Sequence, residues 1–218
     1  MLTEIKVWLD VAYLLSGPVI AVIAYLALGQ IRIAKAQIEE QRNALRVTSK
    51  RDALKLTSEQ VTLYCDKIIP LQNVFYKKMR DEGVDVFDKF GVEFDSESIK
   101  LIPPGEQVDI EVLGKFVTEF VNVANAMESF STYFMSGVAD EEVAYLSLGS
   151  TFCSTMKTLA PLLIPMSNDE RRFAACLSLY QIWGMRRENE ALQKQKLEIE
   201  SKLNSKQKMS IRVMGDES

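Results

Sequence analysis

An uncharged stretch of nineteen residues near the N-terminus constrains this chain more than any other feature. Residues 11–29 (VAYLLSGPVIAVIAYLALG) contain no Asp, Glu, Lys or Arg. At about 1.5 Å per helical residue they nearly cross a hydrocarbon core of roughly 30 Å, and Ile31 and Ile33 lengthen the apolar run. The sequence therefore predicts a transmembrane helix, with residues 1–30 as a membrane anchor.

A secretory signal peptide is the alternative interpretation of the same stretch. Such a peptide has a basic leading region, a shorter apolar run and a cleavage site of small residues. Here the positive charge comes after the apolar run, at Arg32, Lys35, Arg42, Arg46, Lys50 and Arg51. This asymmetry favours a retained single-pass anchor. The positive-inside rule then places the N-terminus outside and the C-terminal domain in the cytoplasm.

Small residues recur within the predicted span. They would let another helix approach closely, so we predict a membrane helix-packing face, with a chance pattern as the alternative. Pro18 lies among them and predicts a weakened or kinked helix, because proline removes a backbone donor. The predicted face consists of Ala12, Ser16, Gly17, Ala21 and Ala24.

Size and charge limit the part of the chain beyond the anchor. The chain has 218 residues, which leaves room for one further domain of roughly 120 to 150 residues. Its net charge of −4 argues against sequence-specific nucleic-acid binding, so we interpret the basic segment as a flank that contacts membrane lipid. Cys65, Cys153 and Cys176 are far apart, and we expect reduced thiols instead of a disulfide or metal site.

Apolar periodicity predicts an all-α fold in which the anchor continues into a long polar juxtamembrane helix over residues 31–80. Ile31, Ile38 and Leu45 recur at intervals of seven residues. The apolar stripe then passes through Leu54, Val61, Cys65 and Ile68, and Pro70 predicts a kink or break.

A cytoplasmic helical bundle is predicted over residues 108–204. Its first helix covers residues 108–136 and stops before Gly137, and Asp140 is a plausible N-cap for the next helix, which Pro165 should end. Ser167 and Glu170 match a capping box that would begin the last helix. Residues 81–107 form an acidic connection in which Phe87, Phe90 and Phe94 pin the chain to the body, or alternatively bind a partner.

The last helix is predicted to extend beyond the bundle, and its apolar residues form a stripe with heptad spacing. Polar residues at Asn189 and Lys196 occupy positions where they cost stability but can fix register. We predict coiled-coil-like pairing with the polar helix of residues 30–56, in the same chain or in another copy. A solvated helix is the alternative, and residues 205–218 are predicted to be a flexible tail. The apolar heptad positions are Ile182, Met185, Leu192, Ile199 and Leu203.

Catalytic signatures are missing from the sequence. The chain has no histidine, which excludes His-based acid–base catalysis and His-containing zinc sites. It also has no GxxxxGK[ST] or GxGxxG nucleotide-binding element. We therefore expect no enzymatic activity, no catalytic residue, and no cofactor or metal.

The order of elements resembles a set of bacterial membrane-anchored helical proteins. One span is followed by ALGQIRIAKAQIEEQRNAL at residues 27–45 and then by a helical body. The set includes membrane effectors of retron-type anti-phage systems, so the resemblance implies a non-enzymatic effector that acts at the bacterial inner membrane by helix-mediated assembly. The alternative is a static adaptor that holds a cytosolic protein complex at the bilayer. The expected partners are lipid, further copies of the chain, and that complex.

Overall fold

The computed structural model describes residues 2–84, 86–95, 98–104, 114–167 and 172–207, and most of these residues are helical. This confirms the predicted all-α class and the long apolar N-terminal helix. In order, the elements are α1 (Leu2–Leu63), a π-helical turn (Tyr64–Ile68), α2 (Ile69–Asp81), a 3-10 turn (Val86–Lys89), β1 (Gly91–Phe94), β2 (Ile99–Ile102), α3 (Val117–Met135), α4 (Glu141–Ser167) and α5 (Ala174–Gln207).

The chain divides into two units, Met1–Asp52 and Ala53–Ser218. The first unit contains most of α1, and its described side chains are exposed. The second unit, called the body below, contains the hydrophobic core. Tyr64, Ile68, Phe75 and Met79 belong to that core, so the second half of the predicted juxtamembrane helix contributes to the body.

The break predicted at Pro70 is a π-helical turn placed just before the proline. The N–H of Ile69 donates to the carbonyl of Tyr64, five residues back, and α2 begins at once. Proline lies in the first turn of α2, where its missing donor costs least. The chain therefore stays helical through this point, and Tyr64 and Ile68 are both fully buried.

The buried face of this region differs from the predicted stripe. Leu54 and Cys65 are exposed, whereas Thr57 and Gln60 are buried. Thr57 can be buried because its hydroxyl group is hydrogen-bonded to the backbone of Ala53 and of Asp140. Hydrophobicity predicted that Leu54 would be buried, but Thr57 is buried instead, because it has a long-range hydrogen-bond partner.

The core is built largely from aromatic side chains. Helix α3 contributes Phe130, which is in contact with the rings of Tyr64, Phe134 and Phe152. Trp183 of α5 is fully buried and packs edge-on against Phe152, with ring centroids 4.8 Å apart. The buried face of α3 consists of Phe120, Val123, Ala124, Met127, Phe130, Ser131 and Phe134.

The first bundle helix starts later than predicted. Within the described residues it begins at Val117, because Phe116 has a non-helical backbone (φ −129°, ψ 14°) and comes after a turn at Gly114. Residues 108–113 lie outside the described part of the chain. The predicted stop is confirmed: Gly137 has a φ of 72°, which suits glycine at the end of a helix.

The predictions for the two ends of α4 had different outcomes. Asp140 is the expected N-cap, since its Oδ1 accepts a bond of 3.1 Å from the N–H of Val143. The predicted stop at Pro165 is wrong, because α4 continues to Ser167. Pro161 and Pro165 each remove one backbone donor from the helix. The buried residues Leu159 and Leu163 pack in the core and hold this end of α4 in place.

Ser167 does not begin the last helix as the predicted capping box requires, and Glu170, the other residue of that box, lies outside the described residues. Ser167 is the last residue of α4, and its hydroxyl donates to the carbonyl of Ile164 at 2.8 Å. The last helix begins only at Ala174, and its first N–H groups are bound by a side chain from α3. Glu128 accepts from the N–H of Ala175 at 3.1 Å and from that of Cys176 at 2.8 Å.

A β-hairpin within residues 81–107 was not predicted. Strands β1 and β2 pair antiparallel, with Gly91 opposite Ile102 and Phe94 opposite Ile99. The hairpin packs against α5, where the rings of Phe94 and Tyr180 lie edge to face at 5.0 Å. Phe87 is buried, so aromatic side chains do hold this connection on the body.

Candidate membrane anchor and helix-pairing surfaces

The N-terminal part of α1 presents apolar side chains on every side. Trp8, Tyr13, Leu14 and Tyr25 are all at least three-quarters exposed. The helical run Ile5–Asp81 is long and apolar enough to cross a membrane, and it is the one such run among the described residues. No side chain in its most apolar 18-residue window is buried inside the protein. These observations support a membrane anchor.

The small residues of the predicted packing face lie on this exposed helix. Ser16, Gly17, Ala21 and Ala24 are exposed, and the side chain of Ala12 lies outside the described part. A Cβ atom built at Gly17 would meet nothing within 4 Å. The Ser16 hydroxyl donates to the carbonyl of Tyr13 at 2.7 Å, which satisfies its polar group within the helix. Helix α1 runs without interruption across Pro18.

The basic flank lies directly after this apolar part on the same helix. The six cationic side chains at Arg32, Lys35, Arg42, Arg46, Lys50 and Arg51 are all exposed. An exposed cluster of this kind next to an apolar helix fits contact with anionic lipid headgroups.

The predicted heptad stripe lies on α5. Met185 is partly buried, Ile182 is 42% exposed, and all side chains from residue 187 to residue 204 are exposed. Leu192, Ile199 and Leu203 are 57% to 65% exposed, as is Leu197, which lies off the stripe. The helix itself extends to Gln207, so part of the predicted tail is helical, and residues 208–218 lie outside the described part. Pairing of this stripe stays a prediction.

A side-chain network holds α5 where its exposed part begins. The carboxylate of Glu141 accepts a hydrogen bond from the indole N–H of Trp183 and another, of 3.0 Å, from Arg186. The Arg186 guanidinium lies 4.5 Å from the centre of the Tyr145 ring. Tyr145 donates to Glu190 at 2.9 Å, and burial together with that carboxylate raises the pKa of Tyr145 to about 12. Helix α4 thus fixes the direction of α5.

The body contains a polar groove that the sequence did not predict. It has a volume of about 700 Å³ and lies between β1, α4 and α5. Ser150, Ser154 and Lys157 supply its α4 wall, and Arg187 lies on α5. The spacing of the α4 residues places them on one face of the helix. In the sequence, such a face cannot be told from ordinary solvated surface, because the hairpin that completes the groove was not predicted.

The three cysteines are free thiols, as predicted. Cys65 is exposed, and Cys153 and Cys176 are buried. Within the described residues, no three His, Cys, Asp or Glu side chains are grouped so that they could hold a metal ion.

Neither a known protein family, nor a curated protein, nor a solved structure matches this chain. The similarity to retron-type membrane effectors therefore stays a hypothesis drawn from the order of elements.

Proposed function

We propose that this protein is a non-enzymatic membrane effector that acts at the bacterial inner membrane by helix-mediated assembly. The observation that carries the proposal is the exposure of every described side chain in the apolar part of α1. Exposing this many large apolar side chains to water is unfavourable, and a lipid bilayer relieves that cost. The body keeps its own aromatic core, so the anchor is not needed to complete it.

The proposed orientation rests on charge. The cationic flank of α1 would stay in the cytoplasm beside anionic headgroups, and the body would lie on the same side. The expected partners are lipid, further copies of the chain, and a cytosolic protein complex.

Assembly is proposed to use two surfaces. In the membrane, Gly17 and Ala21 would allow close helix approach. Outside it, Leu192, Ile199 and Leu203 would pair across a heptad seam. These side chains are exposed, and α4 holds α5 in a fixed direction through Glu141 and Trp183, so the seam is presented by a rigid element.

Growth and membrane potential of overproducing cells test the effector function. Intact protein should slow growth and depolarise the membrane, alone or when a phage or DNA-damage trigger is co-expressed. Gly17→Leu and Ala21→Leu should abolish this effect, because a bulky side chain blocks close helix approach. Gly29→Leu is the matched control, since it lies roughly 120° from Gly17 around the helix. Normal growth and unchanged potential with the trigger present would contradict an effector and leave the static adaptor.

Oligomeric state tests the heptad seam separately. Leu192→Glu and Ile199→Glu should lower the mass of the detergent-solubilised complex, measured by light scattering, and leave membrane insertion intact. Leu197→Glu is the control, because Leu197 is as exposed as Ile199 but lies off the seam. Removal of residues 194–218 should have the effect of the seam variants. Equal masses for seam and control variants would contradict pairing through this stripe.

A further inference from the structure

The groove between β1, α4 and α5 combines two cations with an apolar wall. Lys157 and Arg187 line it from neighbouring helices, and Glu188 is the one acidic residue in the lining. Within the described part of the chain, no carboxylate lies close enough to Lys157 or Arg187 to form an ion pair. With two cations and one carboxylate among its lining residues, the groove carries a net positive charge of one.

Hydroxyl groups lie on the same side as the cations. Ser150 and Ser154 are one helical turn apart on α4, and Lys157 lies one turn further on. Neither serine hydroxyl is used in a hydrogen bond to another described residue, so both are free to donate to a ligand. Arg187 is exposed and lies beside the buried thiol of Cys153, which also lines the groove.

The rest of the lining includes an apolar patch that is fixed in place. It is formed by Val92, Phe94 and Tyr180. The Phe94 ring lies directly over Gly184, since a Cβ atom there would come within 2.2 Å of it. The amide of Gln181 also donates to the carbonyl of Asp95 at 2.7 Å, which holds the hairpin on α5. The groove is thus formed before any ligand arrives, as small-molecule sites usually are.

We propose that this groove binds a small molecule that carries a phosphate group on an apolar or aromatic body. Arginine, lysine and hydroxyl groups are the hydrogen-bond donors best suited to phosphate oxygens. A guanidinium can also bind two of these oxygens at once. The apolar wall would take the rest of the molecule. A volume of about 700 Å³ lies within the usual range of ligand pockets. The inference goes beyond the proposed effector function and does not depend on the anchor.

Calorimetric titration of the full chain in detergent micelles tests this inference. The probe is phenyl phosphate, with inorganic phosphate and phenol as its two separate parts. Phenyl phosphate should bind more tightly than either part. Arg187→Gln and Lys157→Gln should each weaken its binding about tenfold or more, because each removes a charge-assisted hydrogen bond. Lys194→Gln is the control, since it removes the same charge from α5 outside the groove, and its binding should equal that of the wild type.

A second arm distinguishes a free phosphate compound from a lipid headgroup. Dihexanoyl phosphatidic acid is titrated against dihexanoyl phosphatidylcholine under the same conditions. Binding of phosphatidic acid alone, if lost in Arg187→Gln, assigns the groove to a lipid phosphate, whereas binding of phenyl phosphate alone assigns it to a free compound. If neither probe binds, or if Arg187→Gln binds as well as Lys194→Gln, the proposal is wrong.

Two further variants keep the test decisive if Arg187→Gln does not fold. Arg187→Lys retains the charge but loses the two-pronged donor, so it should weaken phenyl phosphate binding by a smaller factor. Ala191→Leu should fill the mouth of the groove and block binding without changing its charge. Wild-type affinity in folded Ala191→Leu protein would also overturn the proposal.

Discussion

The backbone N–H of Asp140 donates a 2.7 Å hydrogen bond to the hydroxyl oxygen of Thr57, 83 residues earlier in the chain. Thr57 is fully buried, and the carbonyl of Ala53 accepts from its hydroxyl at 2.9 Å. The bond joins α1 to the residue that caps α4. A single threonine thus connects the end of the long helix with the start of another.

Thr57→Val should destabilise the body. Valine has nearly the same shape, but it leaves the partly buried N–H of Asp140 without its acceptor, at a cost of about 1–3 kcal/mol. Urea unfolding of the full chain in detergent, followed by the fluorescence of the buried Trp183, measures the loss. Thr62→Val is the control, because Thr62 is exposed and bonds only to the carbonyl of Ser58. Equal stability of the two variants would contradict a structural role for Thr57.

Glu128→Ala should weaken the start of α5. The Glu128 carboxylate accepts from two free N–H groups at the positive end of that helix, and loss of such a cap costs about 1–2 kcal/mol. The same unfolding experiment measures it. Glu198→Ala makes the identical change at an exposed position in the middle of α5 and should have little effect. A loss no larger than that of Glu198→Ala would rule out this cap.

Gly184→Ala should lower stability by forcing the Phe94 ring away from α5. The new Cβ atom would lie within 2.2 Å of that ring, and overpacking of this kind costs about 1–3 kcal/mol. Because the clash needs both partners, Phe94→Ala should remove most of the additional loss when the two changes are combined. A double-mutant cycle on unfolding free energies provides the measurement. Strictly additive losses would mean that the hairpin does not rest on Gly184.

Only Cys65 should react rapidly with a maleimide at pH 7.5 in the native protein. Burial raises the pKa of the Cys153 thiol to about 11, and burial and the nearby Glu128 carboxylate raise the pKa of Cys176 further. A raised thiol pKa leaves the protonated, unreactive form in place at neutral pH. Mass spectrometry should show one fast label per chain, none in Cys65→Ser, and three after denaturation. Two fast labels in the native wild type would contradict this burial.

The helices were predictable because their signals are local. Apolar spacing along α3, the N-cap at Asp140 and the stop at Gly137 each depend on residues within a few turns of each other. The exposed apolar run of α1 likewise needs no knowledge of the rest of the fold.

The errors occur where a distant partner decides the local structure. Thr57 is buried because Asp140 meets it, and α5 begins where Glu128 from another helix can cap it. Strand β1 forms on the surface of α5, against Tyr180. The polar groove depends on the same hairpin, so nothing in the sequence predicts that Lys157 and Arg187 line one groove.

Membrane topology is the most direct test of the account, because every proposed action at the membrane requires an anchor with the body in the cytoplasm. A fluorescent protein that is active only inside and a phosphatase that is active only outside are each fused after Ser218, and alkaline extraction checks insertion. We expect fluorescence, no phosphatase activity and retention in the membrane fraction, with release when residues 1–29 are removed. Phosphatase activity, or extraction of the intact chain by alkali, would contradict it.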